Sequence, residues 1–255
     1  MKNFENHKVH IDENQRSSDY DYYSQLNDYY SSSPGTNIDK LRNFPKYVPI
    51  AEMNRFLAKE KLFRKILNVQ GSIVECGVFM GGSLFSWATF SAIYEPLNHL
   101  RKVIGFDTFQ GLSGVSEKDI GSDNQDIAKE GAIKAGTEED LIKCSNIMDI
   151  YRPLGHIQKI ELVKGDANET IENYINNNQH LVVSLLYLDF DIYVPTKRAI
   201  ELFIKRMPKG AIIAFDQLNQ KKWPGETLAV METLGINNLE IKRFTFQPQI
   251  SYVIL

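Results

Sequence analysis

From Pro49 onward apolar residues recur at helical spacing: Ile50, Met53, Phe56, Leu57, Phe63, Ile66 and Leu67, with basic or polar residues between them. The pattern predicts a helix to about Val69, after which short apolar runs alternate with helical segments. Strands are expected at Ser72–Glu75, Lys102–Phe106, Ile160–Val163, Leu181–Leu188 and Ala211–Phe215, and helices at Gly82–Tyr94, Glu169–Ile175, Pro195–Met207 and Glu226–Leu234. Strands separated by helices pair in parallel through right-handed crossovers. The rhythm then changes. Leu239–Phe244 and Ile250–Leu255 are β-rich runs separated only by Thr245-Phe246-Gln247-Pro248-Gln249, too few residues for a crossover, so they should pair antiparallel.

Two stretches stand outside this alternation. Residues 17–33 hold five tyrosines, six serines and three aspartates with one aliphatic residue, Leu26, and cannot bury enough apolar surface to offset ordering. Residues 1–46 are therefore expected to form a flexible N-terminal segment ahead of a domain spanning 47–255. The interval Gly111–Tyr151 interrupts the alternation at the carboxyl side of a strand, where an insertion of about forty residues suits a substrate lid. Within it Thr137-Glu138-Glu139-Asp140 reads as a capped helix start.

The composition narrows the function. Lys+Arg 29 against Asp+Glu 32 gives a formal charge of −3, which offers no overall positive field to nucleic acid or anionic lipid. Cys76 and Cys144 are too few for a disulfide framework. Cys76–Tyr94 lacks charge but turns through Gly77, Gly81, Gly82 and Ser83, leaving too short a helix to span a bilayer. The first residues lack the apolar core of a secretory signal, so a cytoplasmic protein without a membrane span is expected.

Ligands of open α/β sheets bind at the carboxyl ends of the strands, and these ends carry the candidate chemistry. In Glu75-Cys76-Gly77-Val78-Phe79-Met80-Gly81-Gly82-Ser83 the glycines admit a ligand to the backbone, and the helix start presents N–H groups to an anion. The loop is neither a dinucleotide fingerprint nor a P-loop, since Phe79 breaks the one and no Gly-Lys-Ser/Thr completes the other. Asp107 is placed to accept both hydroxyls of a ribose. Asp166 either caps the next helix or accepts from an adenine amino group. Asp189, Asp216 and Gln217 end two strands expected to be neighbours and offer hard oxygen ligands to a divalent cation such as Mg²⁺. Asp191 reads as the cap of the helix near Pro195.

These pieces in this order resemble the macrocin O-methyltransferase family of S-adenosylmethionine-dependent sugar methyltransferases. The resemblance rests on Val74-Glu75-Cys76-Gly77-Val78 with Gly81-Gly82-Ser83, Asp107-Thr108-Phe109-Gln110-Gly111, Lys164-Gly165-Asp166, Leu188-Asp189-Phe190-Asp191-Ile192-Tyr193 and Asp216. It implies an α/β class I methyltransferase, Rossmann-like, with a mostly parallel seven-stranded sheet ending in an antiparallel hairpin and helices on both faces. It also implies that Glu75, Gly77 and Ser83 hold the methionine moiety of S-adenosylmethionine, Asp107 the ribose, and Asp166 with Ala167 the adenine, while Asp189, Asp216 and Gln217 hold Mg²⁺ or a similar cation. Two positions depart from that pattern. Gln217 stands where the family commonly has a second acid, and Ile192 stands where catechol-type relatives carry a lysine base.

The expected reaction is methyl transfer from sulfonium to a sugar hydroxyl, with Asp189 as the candidate base and His156 as an alternative within the insertion. Trp223 and Pro224 either wall the acceptor pocket or pack in the core. The acceptor is a nucleotide-linked sugar, a polysaccharide or lipid-linked sugar, or a natural-product glycoside. Two other readings stand beside this one: a nucleotide-sugar glycosyltransferase using Asp189-x-Asp191, and a non-catalytic binding module. The leading helix and the tail are expected to build a surface for a second copy, giving a homo-oligomer.

Overall fold

The computed structural model describes residues 17–255. The expectation for residues 1–16 lies outside the described residues. The chain divides into two compact units at Met53/Asn54, within a helix, rather than at the expected 46/47.

In the first unit the described residues depart from the expectation of a segment without structure of its own. Ser17–Ser32 form helix α1 and Asn37–Arg42 helix α2, the latter started by a capping box between Thr36 and Asp39. Aromatic rings and lysine stems supply what aliphatic side chains do not. The Tyr29 and Tyr47 rings stack at 5.7 Å, and the Lys40 ammonium lies 4.9 Å from the centre of the Tyr30 ring and also donates to the Tyr30 carbonyl. Counting aliphatic residues alone misses this packing.

The second unit begins within helix α3 (Ile50–Lys65) and continues β1 (Ser72–Cys76), α4 (Gly82–Tyr94), β2 (Val103–Asp107), α5 (Glu138–Tyr151), β3 (Ile160–Lys164), α6 (Ala167–Asn177), β4 (Val183–Leu188), α7 (Tyr193–Phe203), β5 (Ile212–Phe215), α8 (Gly225–Thr233), β6 (Lys242–Arg243) and β7 (Ser251–Ile254). The sheet has seven strands in the order β3-β2-β1-β4-β5-β7-β6. Pairing is parallel from β3 to β5, while β7 runs antiparallel to both β5 and β6. The terminal hairpin forms as its short connection requires, but β6 keeps only two of the residues expected in it.

Alternation along the strands sorts side chains onto two faces. Ile73, Leu185, Tyr187, Ile212 and Ala214 pack with Ala58, Leu62, Phe63, Leu84 and Trp87 from α3 and α4. Val74, Cys76, Leu186, Leu188, Ile213 and Phe215 pack on the other face with Ile171, Ile200, Phe203 and Val230 from α6, α7 and α8. Burial of each such side chain contributes roughly 1.5–3 kcal/mol. A core of this size tolerates polar and strained groups along the sheet rim.

Only part of the 111–151 interval is an insertion, because α5 is the crossover from β2 to β3. Thr137 caps it as expected, accepting from the Asp140 N–H. The loop before α5 is pinned by Asp119, which is fully buried and accepts from the Tyr193 N–H at 2.6 Å and the Ser116 N–H at 2.7 Å. Asn124 adds a bond to the Lys222 carbonyl at 2.6 Å. The loop is thereby tied to the segments that begin α7 and α8. Among the described residues no helix is long and apolar enough to cross a membrane.

Candidate active site

Strand order reverses between β1 and β4, and the carboxyl ends of the strands open there into a cavity of about 300 Å³. Of the residues singled out in the sequence, Gly77, Asp107, Asp166, Ala167, Asp189 and Gln217 line it, joined by Asp191 and by Leu112 and Ser113 of the insertion. Glu75 and Ser83 lie behind this wall. Asp216 is buried and meets the cavity through the side chain of Arg55, which lines it.

The donor half is organised by backbone. Gly77 has φ +94°, and a Cβ there would lie 2.0 Å from the Asp189 carbonyl oxygen, so glycine is required by the crossing of two strand ends as well as by any ligand. Asp107 accepts from the N–H groups of Val78 and Phe79 at 2.8 and 2.9 Å through Oδ2, and from Phe109 at 2.7 Å through Oδ1. It thereby holds the glycine turn against β2, and one acceptor site of the carboxylate, on Oδ1, is left over where Asp107 lines the cavity. Asp166 caps α6 through the Asn168 N–H at 2.8 Å and receives the Ser113 hydroxyl at 2.9 Å. Asp166 therefore caps α6, as one of its two readings had it, and it also lines the cavity.

Glu75 is fully buried, accepting from the Trp87 indole N–H at 2.7 Å through Oε2 while Oε1 has no partner. Burial pushes its carboxyl up to about 8, against the pull of Lys59. Lys59 itself donates to the Ser83 hydroxyl and lies over the Tyr187 ring at 5.5 Å. Because the folded value exceeds the unfolded one, Glu75 withdraws stability as pH rises from about 4.5 towards 8. Glu75→Gln is therefore expected to gain stability relative to the parent across that window, by up to about 1.4 kcal/mol per pH unit. Thermal unfolding at pH 5 and pH 8 checks it. A stability gap between the two proteins that is the same at both pH values would refute the assignment.

The other half is acidic. Asp189, Asp191, Asp216 and Glu226 act on one another electrostatically there, opposed by Arg55 and Lys59. The Arg55 Nη2 donates to Asp216 Oδ1 at 2.7 Å and lies 3.9 Å from Asp189 Oδ2. The Tyr187 hydroxyl donates to the same Asp216 oxygen at 2.5 Å, and the Gln217 amide nitrogen reaches Asp216 Oδ2 at 3.2 Å. Burial, then repulsion from Asp216, raises the Asp189 carboxyl well above the usual range. Among the described residues no three carboxylate, histidine or cysteine side chains gather as a metal cluster. The oxygen donors here are two carboxylates and the Gln217 amide oxygen, which is buried and without a partner. That orphaned oxygen beside an acidic pair suits a hard divalent cation.

Several expectations need correction. Asp191 does not cap α7: the cap position is Ile192, with no side-chain bond, and Asp191 has φ +65° and faces the cavity. Desolvation in the cleft, then Asp216, pushes its carboxyl up to about 7. His156 lines a separate cavity with Glu138 and Asp149 on α5. Trp223 needs no correction: of its two alternatives the packing one holds, with Ala128 and Ile192 in a small apolar cluster. Arg55, Lys59 and Tyr187 were not singled out in the sequence. Arg55 and Lys59 sit one turn apart on α3, and two basic residues on one face of a helix that buries its neighbours are the signal that would have found them.

Sheet order, terminal hairpin and cavity position together define a class I methyltransferase. The comparisons agree. Residues 53–232 match the family described as Macrocin-O-methyltransferase (TylF). The calicheamicin methyltransferase CalS11 superposes with a TM-score of 0.89 at 30% identity, covering 94% of this chain and 93% of that one. An apo structure of CalS11, described as a TDP-rhamnose 3'-O-methyltransferase, gives 0.81 at 29% identity over 94% and 95%. The O-methyltransferase NovP shares the fold, with a TM-score of 0.59 at 19% identity over 79% of each chain. No curated protein sequence matches significantly. The chain belongs to the macrocin O-methyltransferase family and is an S-adenosylmethionine-dependent sugar O-methyltransferase. The glycosyltransferase reading of Asp189-x-Asp191 finds no support, and the chain is an enzyme rather than a binding module.

Proposed function

We propose that the enzyme methylates a hydroxyl of a sugar bearing neighbouring hydroxyls, with a nucleotide-linked deoxysugar as the first acceptor to test, and that it uses Mg²⁺ or a similar divalent cation. The carrying observation is one cavity lined at one end by Gly77, Asp107 and Asp166 and at the other by Asp189, Asp191 and Gln217. The CalS11 likeness supports the acceptor class.

S-Adenosylmethionine supplies an activated methyl group on sulfonium. Gly77 with the turn held by Asp107, and Asp166 with Ala167, bind its methionine and nucleoside parts; Glu75 and Ser83 support that turn from behind. Asp189, Asp216 and Gln217 would hold a divalent cation, which would supply Lewis acidity that lowers the pKa of the acceptor hydroxyl. Asp189 takes the hydroxyl proton as the oxygen–methyl bond forms and the sulfur–methyl bond breaks. Leu112, Ser113 and Ile133 of the insertion close over the cavity as a lid and exclude water, so that alignment in a dry site does most of the work. The protein acts in a reducing, cytoplasmic setting, which its two free cysteines support, and as a homo-oligomer.

The test is formation of S-adenosylhomocysteine and methylated product with a panel of nucleotide sugars, polysaccharides and natural-product glycosides. Turnover with a nucleotide deoxysugar, abolished by EDTA and restored by Mg²⁺, is the expected result. A rate untouched by EDTA would remove the cation from the mechanism. Turnover with only the other acceptors would replace the acceptor class.

A further inference from the structure

The two carboxylates of the proposed cation seat already hold a cation that belongs to the protein. Arg55 reaches Asp216 at 2.7 Å and Asp189 at 3.9 Å, and its other terminal nitrogen donates to Gln249 at 3.1 Å. Asp216 has little left to offer. Oδ1 serves both Arg55 and Tyr187, and Oδ2 takes the Gln217 amide. A divalent ion drawing on Asp216 must therefore either displace a donor from Oδ1 or take the one lone-pair site left on Oδ2, in both cases beside the guanidinium.

Charge points to which donor leaves. Tyr187 and Gln217 are neutral, whereas guanidinium stays protonated at any working pH and repels a second cation in the same half-buried site. Gln217 matters here, because an amide adds no negative charge to offset a guanidinium and a divalent ion together. Gln249 already accepts from Arg55 and remains a partner for the displaced group.

We propose that Arg55 is a resident counter-cation: it occupies the seat formed by Asp189 and Asp216 in the cation-free protein, and it must withdraw before a divalent ion binds. The inference rests on the cation seat proposed above. It gives Arg55 two consequences of opposite sign. Arg55 stabilises the cation-free protein by pairing with the buried Asp216, and it weakens cation affinity by competing for the two carboxylates. If the guanidinium holds the seat about nine-tenths of the time, the apparent Kd for the ion is raised about tenfold.

The test titrates Mg²⁺ alone into the full-length protein, parent against Arg55→Met and Arg55→Gln, by calorimetry. Each variant's fold is checked by S-adenosylhomocysteine binding, and the Gln variant carries the test if the apolar one fails to fold. The expected result is Mg²⁺ binding about tenfold tighter or more in both variants. Their Tm in EDTA should be lower than the parent's and their rise in Tm on adding Mg²⁺ larger. Equal or weaker Mg²⁺ binding in variants of a parent that does bind Mg²⁺ overturns the role of Arg55 and leaves the seat standing. Absence of Mg²⁺ binding in all three proteins overturns the seat and the competition with it.

Discussion

Asp189→Asn is expected to lower methyl transfer by about 10²–10⁴-fold, the range typical of losing a positioned general base, while S-adenosylhomocysteine still binds. The substitution keeps the side chain's size and removes only its charge and basicity. It should not destabilise the cation-free protein. Burial and the neighbouring Asp216 hold the Asp189 carboxyl well above its ordinary range, so the native state does not favour its ionised form. By linkage, a carboxyl raised in this way loses stability for the fold as pH climbs past its unfolded value. The amide escapes that loss, and the variant's Tm is expected to equal or exceed the parent's at neutral pH in EDTA. Single-turnover kinetics and thermal unfolding check the two halves separately. A rate within about threefold of the parent would show that the proton goes elsewhere, with Asp191 the next group to examine.

Gly77→Ala is expected to be severely damaging, because backbone strain and a backbone overlap meet at one position. Its φ of +94° is outside what an L side chain readily adopts. The added carbon would stand 2.0 Å from the carbonyl oxygen of Asp189 and 2.6 Å from its carbonyl carbon. The neighbour is backbone, held by the Asp189 N–H bond to the Cys76 carbonyl at 2.8 Å, so no rotamer change relieves the overlap. Strain and displacement of the strand ends together are expected to remove about 3–5 kcal/mol. Because the same displacement moves Asp189 away from the donor turn, affinity for S-adenosylhomocysteine should fall in whatever fraction folds. Urea unfolding and calorimetry measure both. A stability loss below about 1 kcal/mol would mean that the two strand ends are not packed as described.

These two residues were visible in the sequence for different reasons. Asp189 follows an apolar strand, and an acid in that position is unusual enough to draw attention. Gly77 was read as clearance for a ligand, whereas its nearest neighbour is the end of β4, more than a hundred residues away. The capping role of Asp166 was legible because capping is local, a bond from a side chain to the next turn. Asp191 was misread for the same cause in reverse. A cap was available locally, but the positive φ at Asp191 turns its carboxylate into the cleft instead.

The sequence by itself determined the order and kind of the elements, the antiparallel ending and the set of acids at the strand tips, since periodicity and turn chemistry act over a few residues. Tertiary structure alone decided that Arg55 meets Asp216 across 161 positions, that Tyr187 points to the same oxygen from a neighbouring strand, and that Tyr29, Tyr30, Lys40 and Tyr47 pack on one another. Such pairings depend on which helix lies over which strand and at what register. No spacing along one segment encodes that.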